Sequence, residues 1–273
     1  MPAGQRGSRV MWRGCIVLLV VFGIACSAAA QPIKLSYEGY LGPFYILSAT
    51  VDLDLRNGRY RVITEGETKG FASWFFSWTN RAISEGTREN GTVKPESHRM
   101  RAHWNDKQRS AYLKYGEGGP AVETIIPPAG EVENPPVPST LIANTVDPLA
   151  MALKLIVAMA KDKECPGTYR VFDGRRRYDL SFTPGEQTDL SENASTIFSG
   201  TAQSCVMGIH RIAGFWKDSK LVTKTKTDAR VWLAKPHASV PLLPVKFEAG
   251  YRFGNIRIYL TRLQTGELVR TLE

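Results

Sequence analysis

The longest run of like charge in the chain is Arg175-Arg176-Arg177, with Arg170 five residues before it. Guanidinium groups hold phosphate or carboxylate through paired hydrogen bonds. Arg170, Arg175 and Arg177 are therefore candidate anion-binding residues. The alternative is a solvated hairpin tip, its arginines paired with Asp173 and Asp179. Asp173-Gly174 is a signal for a two-residue hairpin turn, because a type I′ turn needs positive φ at both central positions. The register that follows sets Tyr169 opposite Tyr178 and Val171 opposite Arg176. It gathers Tyr169, Val171, Tyr178, Leu180 and Phe182 on one sheet face, and Arg170, Phe172, Arg175, Arg177 and Asp179 on the other. On this reading, replacing all three candidate arginines by Gln leaves folding nearly unchanged, because exposed charges add little to stability.

The second candidate is aromatic. Phe71, Trp74, Phe75 and Trp78 recur at i, i+3, i+4 and i+7, the spacing of one helix face. They are a candidate apolar contact for a ligand or a membrane surface. Ordinary core packing against a sheet is the alternative. Other side chains with catalytic potential do not assemble into a motif. His98, His103, His210 and His237 are scattered, and His98 and His103 are expected on opposite faces of one strand. Asp52 and Asp54 share a strand face, where cross-strand arginines are the expected partners. No nucleophile elbow, P-loop, dinucleotide fingerprint or metalloprotease pattern is present. The expectation is a protein without catalytic residues, metal ligands or cofactor.

Residues 1–30 read as a cleaved secretory signal peptide. Arg6, Arg9 and Arg13 precede an apolar run from Cys15 to Ile24, and Ala28-Ala29-Ala30 forms a small-residue cleavage site. An uncleaved anchor and lipidation at Cys26 are the alternatives. Removing the leader leaves 32 of the 35 basic residues against 26 acidic ones, a net charge of +6. That balance permits weak attraction to anionic surfaces. Export argues against nucleic acid as a partner. Cys15 and Cys26 leave with the leader, so Cys165 and Cys205 remain. An isolated pair in an exported protein reads as a disulfide.

The elements that must position these residues are mostly strands. Leu47, Ala49, Val51, Leu53 and Leu55 alternate with polar residues, so one face is buried and one wet. Asn57-Gly58 supplies a turn that sets Leu53 opposite Val62 and Asp54 opposite Arg61. Asn90-Gly91 and Asn105-Asp106 mark further hairpins. Five prolines between Pro127 and Pro138 interrupt this meander with an extended crossing. A helix is expected at about 147–162, capped by Asp147 with Pro148 in its first turn. Its apolar stripe is Leu149, Leu153, Ile156, Val157 and Ala160. The fold expected is mainly β: an antiparallel hairpin meander curled into an open or nearly closed barrel, covered by that helix. Residues 31–273 are expected to form a single β-rich domain with the Pro-rich crossing at 127–138.

The order of several stretches resembles the bacterial domain-of-unknown-function family 3108. They are Ser84-Glu85-Gly86 with Pro95, Asp147-Pro148-Leu149, Val171 to Leu180, Gly200 to Cys205, Arg211 to Phe215, and Val231 to Ala234 with Leu243-Pro244-Val245. The resemblance spans about residues 33–265 and implies an exported, mostly β envelope protein of unassigned activity. The functional expectation is a non-enzymatic protein of the periplasm or cell envelope. It binds an apolar or amphiphilic ligand, a lipid, or a partner envelope protein, and its mature chain has no transmembrane segment. The alternatives are a structural or assembly factor without a ligand pocket and, more weakly, an unrecognised hydrolase.

Overall fold

The computed structural model describes residues 31–131, 135–215, 229–251 and 254–272. The leader therefore lies outside the described residues, as does part of the Pro-rich crossing. The chain runs β1 (Ile33–Leu41), β2 (Phe44–Asp54), β3 (Arg59–Thr68), α1 (Ala72–Phe75), β4 (Trp78–Glu89), β5 (Thr92–Trp104), β6 (Lys107–Gly116) and β7 (Gly119–Ile126). A short 3-10 turn at Ser139–Leu141 leads to α2 (Pro148–Asp162). Then come β8 (Gly167–Phe172), β9 (Arg177–Leu190), β10 (Gly200–Ala213), β11 (Ala229–Ala234), β12 (Leu243–Tyr251), β13 (Gly254–Thr265) and β14 (Leu268–Thr271).

All these strands belong to one 14-stranded antiparallel sheet, ordered β7-β6-β5-β4-β3-β2-β1-β13-β12-β11-β10-β9-β8, with β14 on β13. From β1 in the middle of the sheet the chain runs outward by hairpins to β7 at one edge; β8 then opens at the opposite edge, and the strands run inward to β13, which pairs with β1. The two ends, β7 and β8, do not pair, so the barrel expected from the hairpin count is open. Turn chemistry sets the register where the sequence is richest. Asn57 and Gly58 take φ of 56° and 67°, and Asn90 and Gly91 take 49° and 76°. Leu53 lies opposite Val62 and Asp54 opposite Arg61, as the turn requires.

The hairpin β8–β9 departs from expectation. Val171 pairs with Tyr178 and Phe172 with Arg177, so the loop is Asp173 to Arg176 rather than two residues. The Asp173 carboxylate accepts from the backbone N–H of Arg175 and of Arg176, which stabilises the wider turn. The shift is two residues, and faces repeat every two. Tyr169, Val171, Tyr178 and Leu180 therefore still share a face.

Asp147 caps α2 by accepting from the N–H groups of Leu149 and Ala150, with Pro148 in the first turn. The expected stripe is too narrow. Ala150, Met151, Leu153, Leu155 and Met159 are the buried residues, and Ala160 is exposed. The reason is that α2 serves two cores. Ala150 and Leu153 join Leu35, Val62, Val93, Leu260 and Leu263, while Met151, Leu155 and Met159 join Val171, Phe182, Cys205 and Leu233.

The Cys165–Cys205 disulfide forms, with Cα atoms 5.9 Å apart, and ties the approach to β8 onto β10 across β9. The gap between β7 and β8 is bridged by the crossing. Val146 makes a parallel bridge to Val171, its N–H donating to Arg170 O and its carbonyl accepting from Phe172 N–H. Asn144 N–H donates to Gly118 O in the β6–β7 turn, and Gly214 N–H to Pro135 O. The β8–β9 tip lies against the inward face of β6. A Cβ on Gly174, at φ 94°, would stand 2.4 Å from Ala111 Cβ.

Candidate functional site

A cavity of about 480 Å³ opens on the inward face between β3–β6, the N-terminus of α2 and the β8–β9 loop. Alternation builds its wall. Trp78, Asn80 and Ala82 of β4 face the same way as Met100, Ala102 and Trp104 of β5 and Lys107 and Arg109 of β6. Thr64, Pro148 and Leu149 contribute further wall, and Asp173, Arg175 and Arg176 come from the loop. Ala82 and Ala102 leave the space that larger side chains would fill. The aromatic and aliphatic groups are concentrated on β4, β5 and α2. Cationic groups come from β6 and the loop.

A buried polar cluster borders this cavity. Asp147 Oδ2 accepts from Ser84 Oγ at 3.0 Å and from Tyr115 OH at 3.4 Å. Ser84 Oγ also lies 3.0 Å from Tyr60 OH. His98, 2% exposed and lining the cavity, has Nδ1 3.3 Å from Asp147 Oδ1 without an aligned hydrogen bond. Burial, and next the Asp147 charge, push the Tyr60 and Tyr115 phenols well above the usual tyrosine range. The cluster does not have the geometry of a nucleophilic triad. Ser84 is directed at the carboxylate and at Tyr60, and its residue is fully buried. What the cluster does is fix the α2 N-terminus against β3, β4, β5 and β6.

Sequence reading missed this cluster because a bulge decides it. The Asn90-Gly91 turn sets Gly86 opposite Pro95, but one extra residue on β5 then places Glu85 opposite Ser97 and Ser84 opposite His98. Without that residue Ser97 would face inward and His98 outward. The visible signal is Pro95 within a strand pattern. His98 and His103 do fall on opposite faces, His98 buried and His103 exposed.

The predicted basic site divides. Arg175 lines the cavity, 5% exposed, and its Nη2 donates to Pro127 O. Arg177, 3% exposed, donates from Nε to Leu141 O and from Nη1 to Tyr178 O and Asp179 Oδ1. Arg170 is exposed on β8. Burial of Arg175 and Arg177 corrects the alternative of a solvated hairpin tip and removes the exposure on which the triple-Gln expectation rested. Arg176, outside the predicted set, also lines the cavity and lies beside Phe215.

The aromatic set divides too. Helix α1 ends at Phe75, since Phe76 is already extended, with φ −154° and ψ 133°. Trp78 belongs to β4 opposite Trp104 and lines the cavity. Phe71, Trp74 and Phe75 stay on the turn, exposed to solvent rather than packed on the sheet. Asp54 faces Arg61 but hydrogen-bonds Arg56, and Arg61 pairs with Glu85. Among the described residues, no group of three or more His, Cys, Asp or Glu is placed to hold a metal ion. No helix among them is long and apolar enough to cross a membrane.

An open antiparallel barrel-like sheet, sealed along its gap by a crossing segment and backed by one internal helix, defines the class of protein. The model of the family described as a protein of unknown function, DUF3108, matches residues 36–261, and the chain belongs to that family. A solved structure described as a beta-barrel-like protein of domain of unknown function DUF1849 from Brucella abortus shares the fold. The TM-score is 0.53 at 11% identity, over 88% of this chain and 100% of that chain. No curated protein matches the sequence. Ser84, Asp147 and Arg177, from three separate stretches that carry the family resemblance, all work at the junction of sheet, helix and crossing.

Proposed function

We propose that this protein is an exported protein of the bacterial envelope, without enzymatic activity, that binds an anionic amphiphile in the cavity beside α2. The observation that carries this reading is the cavity's composition. Trp78, Ala82, Met100, Ala102 and Leu149 offer apolar surface suited to an acyl chain, and Lys107, Arg109, Arg175 and Arg176 against the Asp173 carboxylate leave the lining net positive toward an acidic head. Its volume of about 480 Å³ suits a small ligand. The leader-like residues 1–30 and the Cys165–Cys205 bridge support export to an oxidising compartment.

The test is titration of the delipidated protein with a dansylated long-chain fatty acid, followed by its fluorescence. The parent is expected to bind. Ala102→Phe, which fills the cavity, is expected to bind at least about tenfold more weakly, a difference of about 1.4 kcal/mol. Absence of binding by the parent, or equal binding by a folded variant, refutes the reading. Intact mass of the same preparation is expected to place the N-terminus near Gln31, and a retained leader would count against processed export.

A further inference from the structure

The turn between β3 and β4 carries an anomaly for a protein surface. Trp74 is 84% exposed and Phe75 76%, with Phe71 and Phe44 also exposed beside them. The three phenylalanine rings touch one another, and Trp74 stands beside them in sequence. Phe44 meets Phe71 edge-on at 5.0 Å, and Phe71 meets Phe75 at 6.3 Å. The patch continues toward the cavity, because Phe76 stacks on Trp104 at 5.2 Å and Trp104 also lines the cavity. Contiguous exposed aromatic surface on one rim marks a place where water is displaced by something else.

The geometry points to a lipid surface as the occupant: we propose that the Phe44–Phe71–Trp74–Phe75 rim inserts into the interfacial layer of a membrane, bringing the cavity mouth to it. Two further features fit this partner. First, four backbone donors at the turn are paired within the protein. Ser73 N–H donates to Gly70 O, Trp74 N–H to Phe71 O, Phe76 N–H to Ala72 O, and Lys69 N–H to Ile46 O. The Ser73 hydroxyl also donates to Gly70 O. Donors already paired in this way leave water at lower cost than free ones, and the turn offers no strand edge to a protein. Second, Trp74 is of the ring type that settles at headgroup depth, the three phenylalanines add apolar area that can be buried beside it, and basic side chains lie near them. Lys107 lies opposite Trp104 in the β5–β6 hairpin, while Lys69, which adjoins the turn, is paired with Glu67 at 2.7 Å. Gly70 places the turn. At φ 55°, a Cβ there would stand 2.3 Å from Tyr45 O, so the chain passes directly over β2.

This inference rests on the proposed amphiphile site for its purpose, but its test is separate. Parent and the double variant Trp74→Ser, Phe75→Ser are prepared as processed in the same host, so that they share one N-terminus. Each is sedimented with vesicles of phosphatidylcholine and phosphatidylglycerol, and each is titrated with the dansylated fatty acid in the absence of vesicles. The variant is expected to bind vesicles at least about tenfold more weakly. It is expected to keep the parent's melting temperature and fatty-acid affinity. A parent that does not sediment, or a variant that sediments equally, overturns the membrane assignment. So does a parent that elutes as a dimer while the variant elutes as a monomer, which gives the patch to a second copy of the chain. Loss of fatty-acid binding by the parent alone bears on the cavity and leaves the vesicle result standing.

Discussion

Asp147 shows how one side chain can serve two levels of structure. Its carboxylate caps α2 through Oδ1 and holds Ser84 and Tyr115 through Oδ2, in a site with no solvent exposure. Removing it leaves two helix N–H groups, a serine and a tyrosine hydroxyl without their acceptor. Asp147→Ala is therefore expected to cost about 2–4 kcal/mol, summing a lost cap and unsatisfied buried donors. Asp147→Asn keeps a good capping oxygen and is expected to cost less. Urea unfolding followed by tryptophan fluorescence checks both. Equal midpoints for parent and Asp147→Ala would show that the cluster is not structural.

At the scale of elements, the β8–β9 hairpin changes meaning once its neighbours are known. As an isolated hairpin it presents a basic tip. In the fold, Arg177 reaches the crossing at Leu141 and Arg175 reaches it at Pro127, so both hold the sheet's open gap together. Arg177→Gln is expected to destabilise by about 1–3 kcal/mol, because it leaves the part-buried Leu141 and Tyr178 carbonyls and Asp179 without their donor. Arg170→Gln is expected to stay within about 0.5 kcal/mol, as surface substitutions usually do. Thermal melts of the single variants separate the two outcomes. Comparable small shifts for both would return the arginines to a solvated tip.

The whole molecule is a sheet that curls without closing, and its weakest line should be the gap. β7 pairs only with β6, and Val122 and Ile126 on it remain exposed. The crossing that covers the gap is held by a few bonds, at Asn144, Val146, Arg175, Arg177 and Gly214. β9 and β10 are paired on both sides, and the disulfide spans them. Hydrogen exchange is expected to reach peptides from β7 and residues 135–146 first, and those from β9 and β10 last. Early exchange in β9 and β10 would mean that the disulfide-bound half, not the gap, opens first.

The amino-acid sequence by itself determined whatever depends on neighbours along the chain. Asn57-Gly58 and Asn90-Gly91 select their turns because only certain residues tolerate positive φ. Alternation in β2 selects the face from which Leu53 enters the core with Val51 and Leu55 packed against it, and Asp147-Pro148 selects the start of α2, because caps act over three residues. Outside the leader-like residues 1–30, Cys165 and Cys205 are the two cysteines of the chain and leave one pairing to make. Tertiary structure decided what depends on where distant segments meet. The single extra residue near Pro95 turned His98 inward, and a shift of one position reverses every side chain after it. α2 proved to be buried on two sides because two halves of one sheet enclose it. Arg175 and Arg177 became buried donors because the crossing, 30 to 50 residues earlier, supplies carbonyls at their positions. Phe71, Trp74 and Phe75 have the spacing of a core-facing helix turn, yet they face solvent. Strand pairing at Trp78 ends the helix after one turn and carries the chain to the rim, where the core has no surface left to offer them.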